Sequence, residues 1–516
     1  MNSKLTKFVD ALPIPQTLKP TRPRHGKQGD FYRVQMEEFT QKMHKDLQPT
    51  KLWGYDGQFP GPLFDVNHGE PIQVEWVNNL PSKHFLPVDK TVHNLTELPE
   101  VRTVTHLHGS ETKSASDGYP DAWFTKNYQE VGPHFKQKIY EYPNKQRATT
   151  LWYHDHAMGI TRLNVYAGLV GMYIIRDRHE KRLNLPSGPY EIPLAITDRS
   201  FNDDGSLYYP PQPDDPADNI PNPSIRPFFL GETNVVNGKV WPYLDVEPRK
   251  YRFRLLNAAN TRAYQLYLDS GQDFYQIGSD GGLLRRTLKM TKLAMESAER
   301  IDVIIDFSNL EGQTITLKND LGANPDPEDE TDDVMQFRVR SPLKDDDTKA
   351  IPQHLSSIPS LKQNNITKQR FLKLVGSTDE LGRPLLLLDN KLWMDPVTET
   401  PALGSTEIWS FINVTAFTHP IHIHLIQFQV VNRQPFDLDL YNQDGSIVFT
   451  GPATPPEPNE RVWKDTVAAH SGEITRVIAE FGPFTDDYVW HCHILEHEDH
   501  DMMRPMRVID PKKNDN

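Results

Sequence analysis

Cysteine is almost missing from this chain. Its 516 residues include one, Cys492, so no intramolecular disulfide can form and the fold must hold by packing. Long apolar runs are missing too. No window reaches the roughly eighteen uncharged apolar residues that a membrane helix needs. The N-terminus, MNSKLTKFVDALPIPQTLKP, has neither a continuous apolar core nor a twin arginine. With Met1 in place, that start suits cytoplasmic synthesis without a signal peptide better than a processed export form. Positive charge is in deficit: 56 Lys+Arg against 70 Asp+Glu leaves −14, the opposite of the basic footprint of a general nucleic-acid binder.

Helix-period patterns are also scarce, and what fills their place is strand. Short runs such as PIQVEWVNNL, KYRFRLLNAAN, ERIDVIIDF, TEIWSFINV and EITRVIAEFG are rich in β-branched and aromatic residues and bounded by Gly, Pro, Asn or Asp. Several alternate polar and apolar residues, as half-buried antiparallel strands do. The 43 prolines cluster in loops, notably Pro210 to Pro227. The pattern predicts an all-β protein built of sandwiches. Three phrases, EPIQVEWVNNL, EPRKYRFRLLNA and STEIWSFINVT, each read as turn, strand and Asn-containing turn. They predict three homologous units, 1–178, 179–342 and 369–516, with the polar stretch 343–368 as a linker. The acidic run NPDPEDETDD reads as a solvated loop, since no apolar framing surrounds it.

Histidine carries the chemistry. With 20 His in the chain, roughly one His-x-His triplet is expected by chance. Four occur: His106-Leu107-His108, His154-Asp155-His156, His422-Ile423-His424 and His491-Cys492-His493. In an extended strand, residues i and i+2 face the same side, about 6–7 Å apart, so two such imidazoles can reach adjacent metal ions. Imidazole suits copper. Structural zinc is the rival, but it uses four ligands in C-x-x-C or H-x3-5-H spacings rather than separated pairs.

The C-terminal segment HCHILEHEDHDMM supplies a second kind of site. Cys492 is followed by His497 five residues on and by Met502 five further. With His419 of THPIHIH these make two His, one Cys and a weak axial Met, the donor set of a blue electron-transfer copper. The eight imidazoles of the four triplets then divide as three, three and two over three further coppers. Because side chains alternate along a strand, His491 and His493 face one way and Cys492 the other, so one tripeptide touches both sites.

Over essentially its whole length the chain resembles the three-domain multicopper oxidases. HLHG, HDH, HPIHIH and HCHILEHEDHDM are similar to their four signature motifs, and SDGYPDAWF, LWYHDHAMGITRLNVYAGLVGMY and VVNGKVWPYL resemble bacterial endospore-coat laccases in particular. The resemblance implies three cupredoxin-like Greek-key β-sandwiches, the first and third supplying the copper ligands and the second linking them. It implies four copper ions: one type 1, one type 2 held by His106 and His422, and a type 3 pair held by His108, His154, His156, His424, His491 and His493. It also implies O₂ as acceptor and a small phenol, aromatic amine or tetrapyrrole as reductant. An endospore outer-coat location follows from the same likeness, with other coat proteins as neighbours.

By the same resemblance, carboxylates at two positions have roles: Glu498, beside ligand His497, in proton delivery, and Asp117, nine residues after His108, in the acidity of an exit channel. The alternative is that each merely orients a ligand. The chain departs from its relatives where they often carry a Cys pair in the middle unit; the equivalent segments here read FFLGET, with Leu230, and NDLGANPD. It departs again at Phe417, where relatives tend to have glycine. Phe417 is therefore expected to narrow the approach of substrate to the copper beside His497. Laccase is the first reading. Bilirubin oxidation, Cu(I) or Mn(II) oxidation, and a copper-holding structural coat protein are the rivals. No Met-rich insertion speaks for the cuprous version, and a two-domain nitrite reductase fits neither the length nor the eight cluster histidines.

Overall fold

The computed structural model describes residues 5–23, 29–214, 216–217, 219–321, 330–344, 350–362 and 365–513. Part of the acidic run (324–329) and two pieces of the stretch read as a linker (345–349 and 363–364) lie outside them. Strands dominate, and they fall into six sheets that pair off along the chain. Among the described residues no sheet takes strands from two of the three stretches. The first pair is two four-stranded sheets, ordered Thr50–Tyr55, Asp30–Gln41, Ile72–Asn78, Ile139–Tyr142 and Gly61–Asn67, Val170–Arg176, Thr149–Asp155, Thr105–His108. The second pair, of eight and five strands, runs from Glu191–Phe201 to Asp333–Val339. The third is a five-stranded sheet and a four-stranded one, the latter ordered Thr466–Ala469, His419–Ile423, Asp486–Cys492, Met503–Val508. Each pair encloses an apolar core, and that of the first continues into residues of the other two stretches such as Val235, Trp241, Val489 and Leu495. The all-β expectation is met. Among the described residues no helix is long and apolar enough to cross a membrane.

The three repeated phrases occupy equivalent places. Strands Ile72–Asn78, Lys250–Asn257 and Thr406–Asn413 each pair in parallel with the opening strand of their own stretch. Each ends in a buried asparagine whose Oδ1 accepts the backbone N–H two residues on: Asn78 from Leu80, Asn257 from Ala259, Asn413 from Thr415. The amide of each then donates across the turn to two further groups. A buried amide so satisfied pins the corner; leaving such groups unpaired would cost about 1–3 kcal/mol.

The connector before the third pair is not slack. Leu355 and Ile358 are buried against Ile277, Leu284 and Ile304 of the middle sandwich. Leu355 N–H donates to Arg285 O, and Thr287 Oγ1 donates to Pro352 O. The strand Ile366–Thr378 begins inside the stretch read as linker. Polar composition suggested a tether, but its few apolar residues dock it. Leu230 in FFLGET and Leu321 in NDLGANPD are both on the surface.

Candidate metal centre

Strand register brings the histidines together. The antiparallel strands Thr105–His108 and Thr149–Asp155 set His106 opposite His154. In the third sandwich, His419–Ile423 and Asp486–Cys492 set His422 opposite His491 and Ile421 opposite Cys492. Each strand places alternate side chains on one face, so four imidazoles from the first sandwich and four from the third converge. Their rings interleave: His106 stacks on His424 at 3.8 Å and His108 on His422 at 3.6 Å between centroids. All eight are buried.

Hydrogen bonding decides which ring nitrogen faces the interior. Nδ1–H donates outward to the backbone oxygen of Asp117 from His106 (2.5 Å), of Asp155 from His154 (2.7 Å), of Asp465 from His422 (2.7 Å) and of Cys492 from His491 (3.0 Å). From His424 it donates to Asp117 Oδ2 at 2.7 Å. His108 is turned the other way, its Nε2–H donating to Asp465 Oδ1 at 3.0 Å. The opposite nitrogens are therefore bare lone pairs. Nε2 of His106, His154, His422 and His493 and Nδ1 of His108 have no hydrogen-bond partner. His491 Nε2 lies 3.2 Å from His424 Nε2 and 3.3 Å from His156 Nε2. For the His424–His491 pair, two buried acceptors face each other, an arrangement that a cation between them would satisfy.

The donors sort into close groups: His108, His154 and His493; His156, His424 and His491; and His106 and His422, with His108 near them. Burial holds His154 down at about 3 and keeps His106, His108, His156, His422, His424 and His493 well below the ordinary imidazole range. Neutral imidazole is the form that binds metal. An all-imidazole donor set with no thiolate fits copper, so the residues present suit the metal that the sequence implies.

The fourth position lies on the other side of Cys492. His419, Cys492 and His497 form a further donor group, with Cys492 Sγ 3.5 Å from His419 Nδ1 and 3.7 Å from His497 Nδ1. Met502 is buried in the same core, and its carbonyl accepts from Cys492 N–H at 3.0 Å. Burial pushes the Cys492 thiol well up and His419 down to about 3. Thr415, at the turn that Asn413 pins, accepts from His419 Nε2–H at 2.8 Å and so fixes that ring with Nδ1 toward the sulfur.

The two carboxylates singled out in the sequence both reach the cluster, in different ways. Asp117 is tied to two of the cluster histidines, through its backbone oxygen to His106 and its side chain to His424, and burial pushes its carboxyl well above the usual range. Glu498 lies with its oxygens 3.0 Å from His491 Nδ1 and 3.5 Å from His156 Nδ1, yet neither oxygen receives a hydrogen bond. Its neighbours anchor the segment. Glu496 accepts from Tyr209, Asn260 and Thr261 around the middle sandwich. Asp499 accepts from the backbone of Thr161 and Arg162 in the first.

Phe417 does not stack on a ligand. It is 48% exposed and packs at 4.7 Å on Phe228, which in turn lies 4.7 Å from His497. Beside Phe417 a groove of about 480 Å³ is lined by residues including Val375, Leu385, Leu386 and Tyr441. Sequence reading missed Phe228, Asp465, Thr415 and Glu496. Only Glu496 gave a signal, as an acid beside His497; Phe228 directly follows the Pro-rich loop and opens FFLGET, a segment that carries no ligand-type residue spacing.

Comparison with known proteins agrees with this geometry. Residues 35–180 and 363–512 match family models described as multicopper oxidase. A laccase of Bacillus subtilis (strain 168) is 58% identical over 513 residues, covering 99% of this chain and 100% of that one. A laccase of Haloferax volcanii is 40% identical across 98% of this chain and 86% of its own. The crystal structure of a laccase from Pediococcus acidilactici is similar with a TM-score of 0.76 at 28% identity, over 98% of this chain and 95% of that one.

Proposed function

The chain belongs to the multicopper oxidase family, and from that premise we propose which of its residues carry the chemistry. It is a laccase-type oxidase that uses copper, with O₂ and an oxidisable small molecule as its substrates. Bound copper would supply the redox chemistry: four one-electron oxidations of phenols or aromatic amines at a type 1 ion would balance the four-electron reduction of one O₂ to two waters at a trinuclear cluster.

We assign the type 1 ion to His419, Cys492, His497 and Met502, and the type 2 ion to His106 and His422. The type 3 pair takes His108, His154 and His493 on one side and His156, His424 and His491 on the other. The observation carrying this assignment is the set of buried imidazole lone pairs with no hydrogen, converging within bonding reach of common points. His491 and His493 address the cluster while Cys492 between them addresses the other site, so the backbone of one tripeptide couples electron entry to O₂ chemistry. Glu498 is the proton donor to the cluster region: a buried carboxylate with no hydrogen bond of its own is free to give and take a proton. Asp117 holds the His106 and His424 rings in place, and its carboxyl serves the exit side. The proposed units are 1–178, 179–342 and 369–516 with connector 343–368, supported by sheets that never mix strands between stretches.

Substrate docks at His497 by this reading. Phe228 covers the ring and Phe417 narrows the approach by leaning on Phe228. Phe417→Gly should raise kcat/KM for bulky phenols more than for small ones; an equal change for both would reduce Phe417 to surface packing. An endospore-coat location, with coat proteins as neighbours, is part of the same proposal, supported by the likeness to two Bacillus laccases.

O₂ uptake by copper-loaded protein against phenols, bilirubin and Cu(I), compared by kcat/KM, tests the whole. Phenols should lead. Higher kcat/KM for bilirubin would make this a bilirubin oxidase. No uptake with any reductant at four coppers per chain would leave only a copper-holding protein.

A further inference from the structure

The middle sandwich supplies none of the assigned ligands, yet one of its side chains ends a single hydrogen bond away from a residue that holds two of them. We propose that Arg300 is a positioning residue for the trinuclear centre, acting through Asp465; this rests on the ligand assignment above.

Arg300 lies in the middle strand Arg300–Asp306 and is buried. Its guanidinium grips Asp465 with both ends, Nη1 to Oδ1 at 2.8 Å and Nη2 to Oδ2. Its remaining donors are fixed as well: Nε–H donates to Thr150 O in the first sandwich at 3.0 Å and Nη1–H to Ala298 O at 2.8 Å. A forked pair of this kind sets the plane of the carboxylate, not only its charge. Asp465 uses what is left on two ligands. Its Oδ1 accepts from His108 Nε2–H, and its backbone oxygen accepts from His422 Nδ1–H at 2.7 Å.

Those two rings stack on each other and belong to different copper positions, one in the type 3 pair and one in the type 2 site. His108 also stands apart, because it alone turns Nδ1 inward with Nε2–H tied to a carboxylate. If Asp465 rotates, nothing else on the outer side of His108 fixes that tautomer except the Thr466 hydroxyl at 3.1 Å. Partners that orient a metal-bound imidazole in this way commonly change affinity or activity by about 10- to 100-fold when lost.

A purely structural role is the alternative, since Arg300 also borders an ion-pair network. Its backbone N–H donates to Asp280, which pairs with Lys464 at 2.8 Å, and Lys464 pairs with Glu299 at 2.9 Å. Lys464→Met breaks that network without removing the grip on Asp465, and so separates the two ideas.

The test uses copper-loaded full-length protein and reads copper per chain, retention against a chelator, the type 1 absorption and the type 2 paramagnetic resonance signal. Arg300→Met and Asp465→Asn should shift the type 2 signal and weaken retention of cluster copper by about 10- to 100-fold, with the type 1 absorption unchanged. Arg300→Lys, which returns the charge without the fork, should fall between. Lys464→Met should leave the type 2 signal as in the wild type. An unaltered type 2 signal in Arg300→Met, or the same shift in Lys464→Met, overturns the proposal. If Arg300→Met does not fold, Asp465→Asn decides, and an unaltered signal there overturns it equally. A wild-type chain that binds copper without any type 2 or type 3 signal overturns the ligand assignment itself, and the proposal with it.

Discussion

A Cys492→Ser protein should be colourless, hold one copper fewer per chain and oxidise phenols no faster than background, while the cluster keeps its metal. The sulfur sits 3.5 Å and 3.7 Å from the facing nitrogens of His419 and His497 in a fully buried core. Burial alone keeps the thiol protonated, so the thiolate form has to come from metal coordination, which deprotonates a thiol outright. A serine hydroxyl is neither soft nor acidic enough to replace it, and the blue site depends on that sulfur bond. Six of the eight cluster imidazoles are oriented by oxygens of Asp117, Asp155, Asp465 and the Cys492 backbone rather than by the sulfur, so the cluster copper should stay. Copper stoichiometry with visible absorption reads this directly. A blue, fully active Ser variant would mean that electrons enter elsewhere.

Glu498→Leu is the second large effect. Leucine is close in volume, and both Glu498 oxygens are unpartnered, so the change removes no hydrogen bond and should not displace His491 or His156. Copper content and type 1 absorption should match the wild type. Turnover should fall by about 10²- to 10⁴-fold, the range for loss of a general acid, with the drop in the O₂-dependent step rather than in reduction by substrate. Stopped-flow reduction of the type 1 site under anaerobic conditions, followed by reoxidation with O₂, separates the two. A normal reoxidation rate would leave Glu498 as a neighbour of the cluster with no part in it.

The convergence of the candidate ligands was legible because it depends on local rules. A period of two puts His-x-His on one face, and a strand makes Cys492 turn its back on its flanking histidines. The repeated strand phrases were legible for the same reason, and the structure gives each the same parallel partner and the same asparagine turn. What the sequence does not disclose is anything fixed by distant contact. Arg300 meets Asp465 across 165 residues, and Phe228 reaches His497 from a loop whose composition says only that it is not a strand. Phe417 stood out by its unusual place before His419, but its neighbour could not be read from its own segment.

The asparagine corner has one more consequence. In the first two sandwiches the residue two after the asparagine is Leu80 or Ala259, and neither has a side chain that could hydrogen-bond a ring. In the third it is Thr415, whose hydroxyl takes the proton of His419. The same bend thus exists in three copies, two of which serve as plain masonry. In the third sandwich a single hydroxyl on that corner adds the orientation of a buried histidine to a bend that elsewhere only shapes the chain.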